Sequence, residues 1–62
     1  MDKLVKFTTV TGVDIAIRPD QIEDAYVDKK EDGTSELIVE TNGLLNKFSL
    51  AMTMDDFLYQ IN

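Results

Sequence analysis

The side chains that could do chemistry in this sequence are nearly all carboxylates. The chain has 12 aspartates and glutamates, six lysines and arginines, no histidine and no cysteine. Without histidine it lacks the usual general base near neutral pH, and without cysteine it lacks a thiol nucleophile and thiolate metal ligands. Serine occurs only as Ser35 and Ser49, and neither lies in a nucleophile motif. Any catalysis would therefore depend on paired acids.

Two acid pairs are adjacent in the sequence, Glu23-Asp24 and Asp55-Asp56. A glycosidase-type acid and base must be held across a cleft, and a chain of 62 residues should not form a cleft of the size that ligand pockets usually have. We interpret the first pair as a solvated strand edge and the second as the acidic start of a helix. We therefore expect a protein that is not an enzyme.

One stretch resembles a calcium-binding loop, because Asp28, Asp32 and Gly33 occupy three of its characteristic positions. The match fails where ligands are required, since the third position is Lys30 and the last is Val39. Each glycine stands alone in a turn, so no glycine-rich phosphate-binding loop is present. We predict neither a metal nor a cofactor.

Charge and composition indicate where such a protein would act. A net charge of −6 opposes direct binding to nucleic acid or to an anionic membrane, because both favour clustered lysine and arginine. The N-terminal sequence lacks the apolar stretch of a signal peptide, and no apolar run is long enough to span a membrane. The absence of cysteine is typical of reducing compartments. We expect a single soluble, cytoplasmic domain spanning residues 1–62.

Turn signals recur about every ten residues and separate short runs of alternating polarity, which indicates hairpin-linked strands. The turns are predicted at Thr11-Gly12, Asp32-Gly33 and Asn42-Gly43. Between the second and third strands, "RPDQI" should form a corner, because Pro19 cannot donate a backbone hydrogen bond and Asp20 can close a turn.

In the fourth strand, "ELIVETN", two orientations are open. Either Leu37 and Val39 point inward with the flanking Glu36 and Glu40 outward, or Ile38 is inward with the glutamates if the sheet curls.

The last segment changes to a helical period, with apolar residues at i, i+3, i+4 and i+7 after the N-cap candidate Thr53. So short a helix must lie on the sheet to be stable. We predict a mainly β fold: a five-stranded, bent antiparallel sheet or a small barrel resembling the SH3-like fold, with one short C-terminal helix. The predicted core residues are Val5, Phe7, Val13, Ile15, Ile17, Ile22, Val27, Leu37, Val39, Phe48, Leu50, Phe57, Leu58 and Ile61.

The pieces "KLVKFTTVTG", "IRPDQIEDAY", "DGTSELIVETNG" and "TMDDFLYQI" resemble a family of very short bacterial and phage proteins that includes the flagellar and swarming motility proteins. The resemblance covers nearly the whole chain through turn and core signals. It implies a compact β-domain with an assembly or regulatory role, and no catalytic residues. The "KKEDGTS" tip departs from the motility members, so a small phage or mobile-element protein fits as well as a motility protein.

We predict a non-enzymatic interaction module, a phage or bacterial regulatory or accessory protein, that binds a protein partner with a basic surface. The exposed tyrosines supply contact area among acids. Two alternatives stay open: a phage anti-defence inhibitor that mimics nucleic acid, and an oligomer that holds a small ligand between subunits. Edge strands also favour a homodimer or larger homo-oligomer. The predicted partner-binding residues are Glu23, Asp24, Tyr26, Asp28 and Tyr59.

Overall fold

The computed structural model describes residues 3–42 and 46–62, which form a mainly β fold with a short C-terminal helix. The strands are β1 (Val5–Thr8), β2 (Asp14–Ile17), β3 (Ile22–Lys29), β4 (Ser35–Thr41) and β5 (Lys47–Leu50). A 3-10 helix, Pro19–Gln21, links β2 to β3, and α1 spans Met54–Ile61.

The strands form two antiparallel sheets. β1 and β2 make a two-stranded hairpin, and the other sheet has the order β3-β4-β5. The sheets meet at an antiparallel bridge between Thr9 and Leu50, where Ala51 also donates its N–H to the carbonyl of Thr8. The predicted five-stranded fold with its terminal helix is confirmed. In the part of the chain that the structure describes, the sheets are bent together and do not close a barrel.

The turns follow the chemistry of their residues. Gly12 and Gly33 both have positive φ, 86° and 91°, which an L side chain rarely adopts. The side chain of Asp32 accepts bonds from the N–H and hydroxyl of Thr34, which fixes the second of these turns. The Asn42-Gly43 prediction lies partly outside the described residues, because Gly43 is not among them.

The corner at "RPDQI" is confirmed and is fastened to β4. Gln21 closes the 3-10 turn by donating its N–H to the carbonyl of Arg18. The backbone N–H of Asn42 then donates to the carbonyl of Gln21 at 2.9 Å, and the two side chains bond at 3.1 Å. The proline therefore serves to turn the chain from β2 into β3, as its missing N–H suggests.

The core lies between the two sheets and α1. At its centre the rings of Phe7 and Phe57 are 5.5 Å apart, and Phe57 is 1% exposed. Thr53 caps the helix by accepting the N–H of Asp56 at 3.1 Å, as predicted. The buried cluster contains Val5, Phe7, Ile17, Leu37, Val39, Leu50 and Phe57.

Three predicted core residues are instead exposed: Val13 at 55%, Val27 at 43% and Leu58 at 45%. Val13 precedes β2 and lies in the turn from β1, where its backbone bonds to Thr9. Val27 is on the core face, opposite Leu37, but belongs to an edge strand. α1 packs against the core through Phe57, and the side chain of the adjacent Leu58 lies at the edge of this contact.

Candidate functional site

The candidate site is the face of the three-stranded sheet that points away from the core. Successive residues of a strand point to opposite faces, so burial of Leu37 and Val39 on one face places Glu36, Ile38 and Glu40 on the other. Leu37 and Val39 are thus inward, with the glutamates outward. This outer face consists of Asp24, Tyr26 and Asp28 of β3, Glu36, Ile38 and Glu40 of β4, and Lys47 and Ser49 of β5.

The cross-strand register sets acid opposite acid at both ends of the outer face. Asp24 is paired with Glu40, and Asp28 with Glu36. Like charges directly opposite each other destabilise a sheet unless cations lie beside them. The four carboxylates concentrate negative charge on β3 and β4, and on β5 Lys47 lies opposite Glu40.

Between the two acid pairs lies an apolar strip made of Tyr26 and its cross-strand partner Ile38. The hydroxyl of Tyr26 donates to Oε2 of Glu40 at 2.9 Å, which fixes the ring over this part of the sheet. Ile38 is only 6% exposed although it lies on the face opposite the core. The strip therefore presents Tyr26 as an aromatic platform held in one orientation.

The acids themselves are also held in place. Lys30 contacts Oε1 of Glu36 at 2.8 Å and Oδ2 of Asp28 at 3.4 Å, and so bridges one acid pair. Hydrogen bonds to Glu36 and then Asp28 raise the pKa of Lys30. The bond from Lys30, followed by one from Ser49, lowers the pKa of Glu36. Both bonds favour the ionised form of Glu36.

At the other end, a β-bulge positions Asp24. The register moves from the pair of Ile22 with Thr41 directly to the pair of Asp24 with Glu40, so Glu23 is the extra residue. The carboxylate of Asp24 turns back to accept the N–H of Ala25 at 2.9 Å. The "EDA" sequence thus forms an acidic, irregular start to an edge strand.

The structure brings together three of the predicted partner-binding residues, Asp24, Tyr26 and Asp28, on the outer face. Glu23 is exposed beside them in the bulge. Tyr59 is 80% exposed on α1, which packs through Phe57 against the core, and it is not part of the outer face.

Two residues of the outer face, Glu36 and Glu40, are outward in one of the two predicted orientations of β4 but are not among the predicted site residues. The strand alternation is visible in the sequence. What the sequence lacks is the register that places these glutamates opposite Asp28 and Asp24.

An open groove of about 260 Å³ lies at the corner, apart from the outer face. Its polar groups bond to one another: Gln21 with Asn42, and the side-chain amide of Asn46 with the carbonyl of Asn42 at 2.6 Å. Its volume is below the range of about 300–1,000 Å³ typical of ligand sites. These polar groups fasten the corner to β4. The groove is lined by Leu4, Ala16, Ile17, Arg18, Gln21, Thr41, Asn42, Asn46 and Phe48.

Within residues 3–42 and 46–62, no three acidic side chains are grouped so that they could hold a metal ion. The helix in this part of the chain is too short to cross a membrane.

No protein-family model, curated protein or solved structure matches the chain. The resemblance to the short bacterial and phage proteins therefore stays a prediction, and the function must be argued from the geometry.

Proposed function

We propose that the protein is a non-enzymatic interaction module whose outer face binds a basic surface on a protein partner. The observation that carries the proposal is the pairing of acids across β3 and β4 around a fixed tyrosine. Asp24 and Asp28 of the outer face are exposed, and a basic partner would place cations beside them on binding.

The outer face has the features of a small interface centre. The half-buried ring of Tyr26 supplies apolar contact area, and its hydroxyl bond to Glu40 reduces the conformational entropy that the ring would lose on binding. The surrounding carboxylates would steer a cationic partner and fix its register. Lysine or arginine side chains could also extend along the ring, which adds a cation–π contribution.

The nucleic-acid-mimic alternative has weaker support. A phosphate backbone is a continuous line of negative charge, whereas the outer-face acids are interrupted by Tyr26 and Ile38. Lys30 also sits beside one acid pair and neutralises part of it. These features suit a mixed polar and apolar partner surface better than a groove built for phosphates.

The test compares two double variants with the same net charge. Asp24→Asn with Asp28→Asn removes two of the four outer-face carboxylates and retains side-chain shape, so the amide oxygen introduced at position 24 could still accept the N–H of Ala25. Asp20→Asn with Asp55→Asn removes the same charge from exposed positions elsewhere. The tagged proteins are used to capture basic proteins from a bacterial lysate, and the affinity of each purified partner is then measured.

We expect the outer-face variant to lose about tenfold or more in affinity and the control to lose about threefold or less. Both variants should remain folded, because the substituted side chains lie at the surface, and thermal unfolding checks this. Equal losses for the two variants would show that only net charge matters and would overturn the proposal.

A further inference from the structure

β3 offers an exposed backbone edge next to the outer face. In the described part of the chain it has a neighbouring strand, β4, on one side only. It is eight residues long, Ile22–Lys29, whereas β1, β2 and β5 have four residues each. An unpaired edge of this length is a template for another strand.

The hydrogen-bond pattern identifies the backbone groups at this edge. Lys30 donates its N–H to the carbonyl of Thr34, so these two residues form a hydrogen-bonded pair at the end of the hairpin. Hydrogen-bonded and non-hydrogen-bonded pairs alternate along an antiparallel ladder. The N–H and C=O groups of Ala25, Val27 and Lys29 therefore point away from β4. The bond from the N–H of Ala25 to the Asp24 carboxylate agrees with this alternation.

The two faces of the edge differ in chemistry. On the core face, Val27 is 43% exposed, because β3 has no neighbour beyond it to cover the side chain. On the outer face, Asp24 and Asp28 flank Tyr26. A strand added here would place alternate side chains against Val27 and against the acids.

We propose that the β3 edge binds an extended segment of a partner protein in which basic and apolar residues alternate, and that this segment adds to the sheet as a further strand. The inference rests on the proposed function of the outer face and specifies how the partner is held. Backbone bonds to Val27 and Lys29 supply affinity. The basic residues meet Asp24 and Asp28, and the apolar residues cover Val27.

Charge favours such a segment over a second copy of this chain. β3 contains three acids, Glu23, Asp24 and Asp28, and one base, Lys29, and each copy carries a net charge of −6. Two copies paired edge to edge would bring these charges together, whereas a basic segment neutralises them.

The test uses three synthetic peptides, each about eight residues long to match β3. The first alternates lysine and valine. The second has the same composition with the lysines and valines in separate blocks. The third has the alternating sequence but carries N-methyl groups on alternate residues, which removes the N–H donors on one edge. Affinity is measured at low salt by fluorescence anisotropy, and backbone amides are followed by NMR hydrogen exchange.

We expect the alternating peptide to bind about tenfold or more tightly than either control and to slow exchange of the Val27 and Lys29 amides. Val27→Pro should weaken binding similarly, because it removes an edge N–H without removing a bond to β4, while Val27→Thr should bind nearly normally. If Val27→Pro does not fold, binding of the N-methylated peptide to the original protein still tests whether backbone hydrogen bonds to β3 are needed.

Other outcomes separate the two proposals. Equal binding of all three peptides, lost on neutralising Asp24 and Asp28, would overturn strand addition and leave the acidic face supported. If peptide binding does not change when Asp24 and Asp28 are neutralised, the proposed function of the outer face is contradicted too. The alternative result is a dimer of the free protein in light scattering, with slowed exchange of the same amides. That result would mean that a second copy of the chain binds the β3 edge, and it would overturn the inference.

Discussion

Among individual residues, Lys30 shows how one cation organises the acidic surface. It contacts both Asp28 and Glu36, which the register places opposite each other. Both carboxylates are near solvent, so the attraction is modest and sensitive to salt. Its effect is to keep two like charges side by side in a defined geometry.

The Lys30–Glu36 contact predicts a pH dependence of stability. The pKa of Glu36 is lowered from 4.5 by its bond to Lys30, so the folded state holds the proton less tightly than the unfolded state. The stabilisation is present above the unfolded-state pKa and is lost as the pH falls through the folded-state pKa. A double-mutant cycle with Glu36→Gln and Lys30→Met, measured by urea unfolding, should show favourable coupling at neutral pH.

The same cycle should show this coupling decline on acidification to about pH 3. Favourable coupling that stays constant over this range would mean that the interaction does not depend on ionisation of Glu36, and absence of coupling at neutral pH would mean that the ion pair does not stabilise the folded state. The comparison of each single variant with the double variant serves as the internal control.

At the scale of elements, the strands and turns were predictable because each depends on local chemistry. The alternation of Val5 and Phe7 in β1, the positive φ of Gly12 and the Thr53 cap all follow from neighbouring residues. The local pattern did not predict how exposed each side chain is. Val27 alternates with the outward residues as a core residue would, but it is exposed because β3 lies at a sheet edge.

The candidate site was predictable only in part, for a related reason. The sequence shows that β3 is acidic and that Glu36 and Glu40 alternate with apolar residues, but cross-strand partners depend on register. The bulge at Glu23 shifts that register by one residue, and no residue pattern in "QIEDAY" predicts the bulge.

The packing of α1 against the sheets should be essential for the stability of the domain. Replacing Phe57 with alanine removes a ring that is 1% exposed and packed on Phe7, at a cost of about 3–5 kcal/mol. A domain of 62 residues has little more stability than this, so the variant should be largely unfolded by circular dichroism at about 25 °C.

Leu58→Ala is the matched control on the same helix. Its side chain is 45% exposed, and we expect it to fold with a loss of about 1 kcal/mol or less. Similar losses for the two variants would show that α1 does not dock through Phe57.

For the whole molecule, net charge should make stability depend on salt. The described residues extend over 42 × 25 × 19 Å, and the screening length in about 0.01 M salt is about 30 Å. At low salt the excess acids therefore repel one another across most of the molecule.

We expect the melting temperature to rise as sodium chloride is increased from about 0.01 M to about 0.5 M. The Asp24→Asn, Asp28→Asn variant should show a smaller rise, because its net charge is −4, from the original −6 less two acids. A melting temperature that falls with salt would indicate that the attraction of Lys30 for its acids outweighs the repulsion.

The β1-β2 hairpin and the β3-β4-β5 sheet are joined at sites far apart in sequence: the Thr9–Leu50 bridge and the bond from the N–H of Ala51 to the carbonyl of Thr8. Separating the hairpin from the sheet would break these contacts and take Phe7 away from Phe57. Neither part is therefore an autonomous folding unit. A protease that attacks the native protein should find few internal cleavage sites until the entire domain opens in one cooperative event.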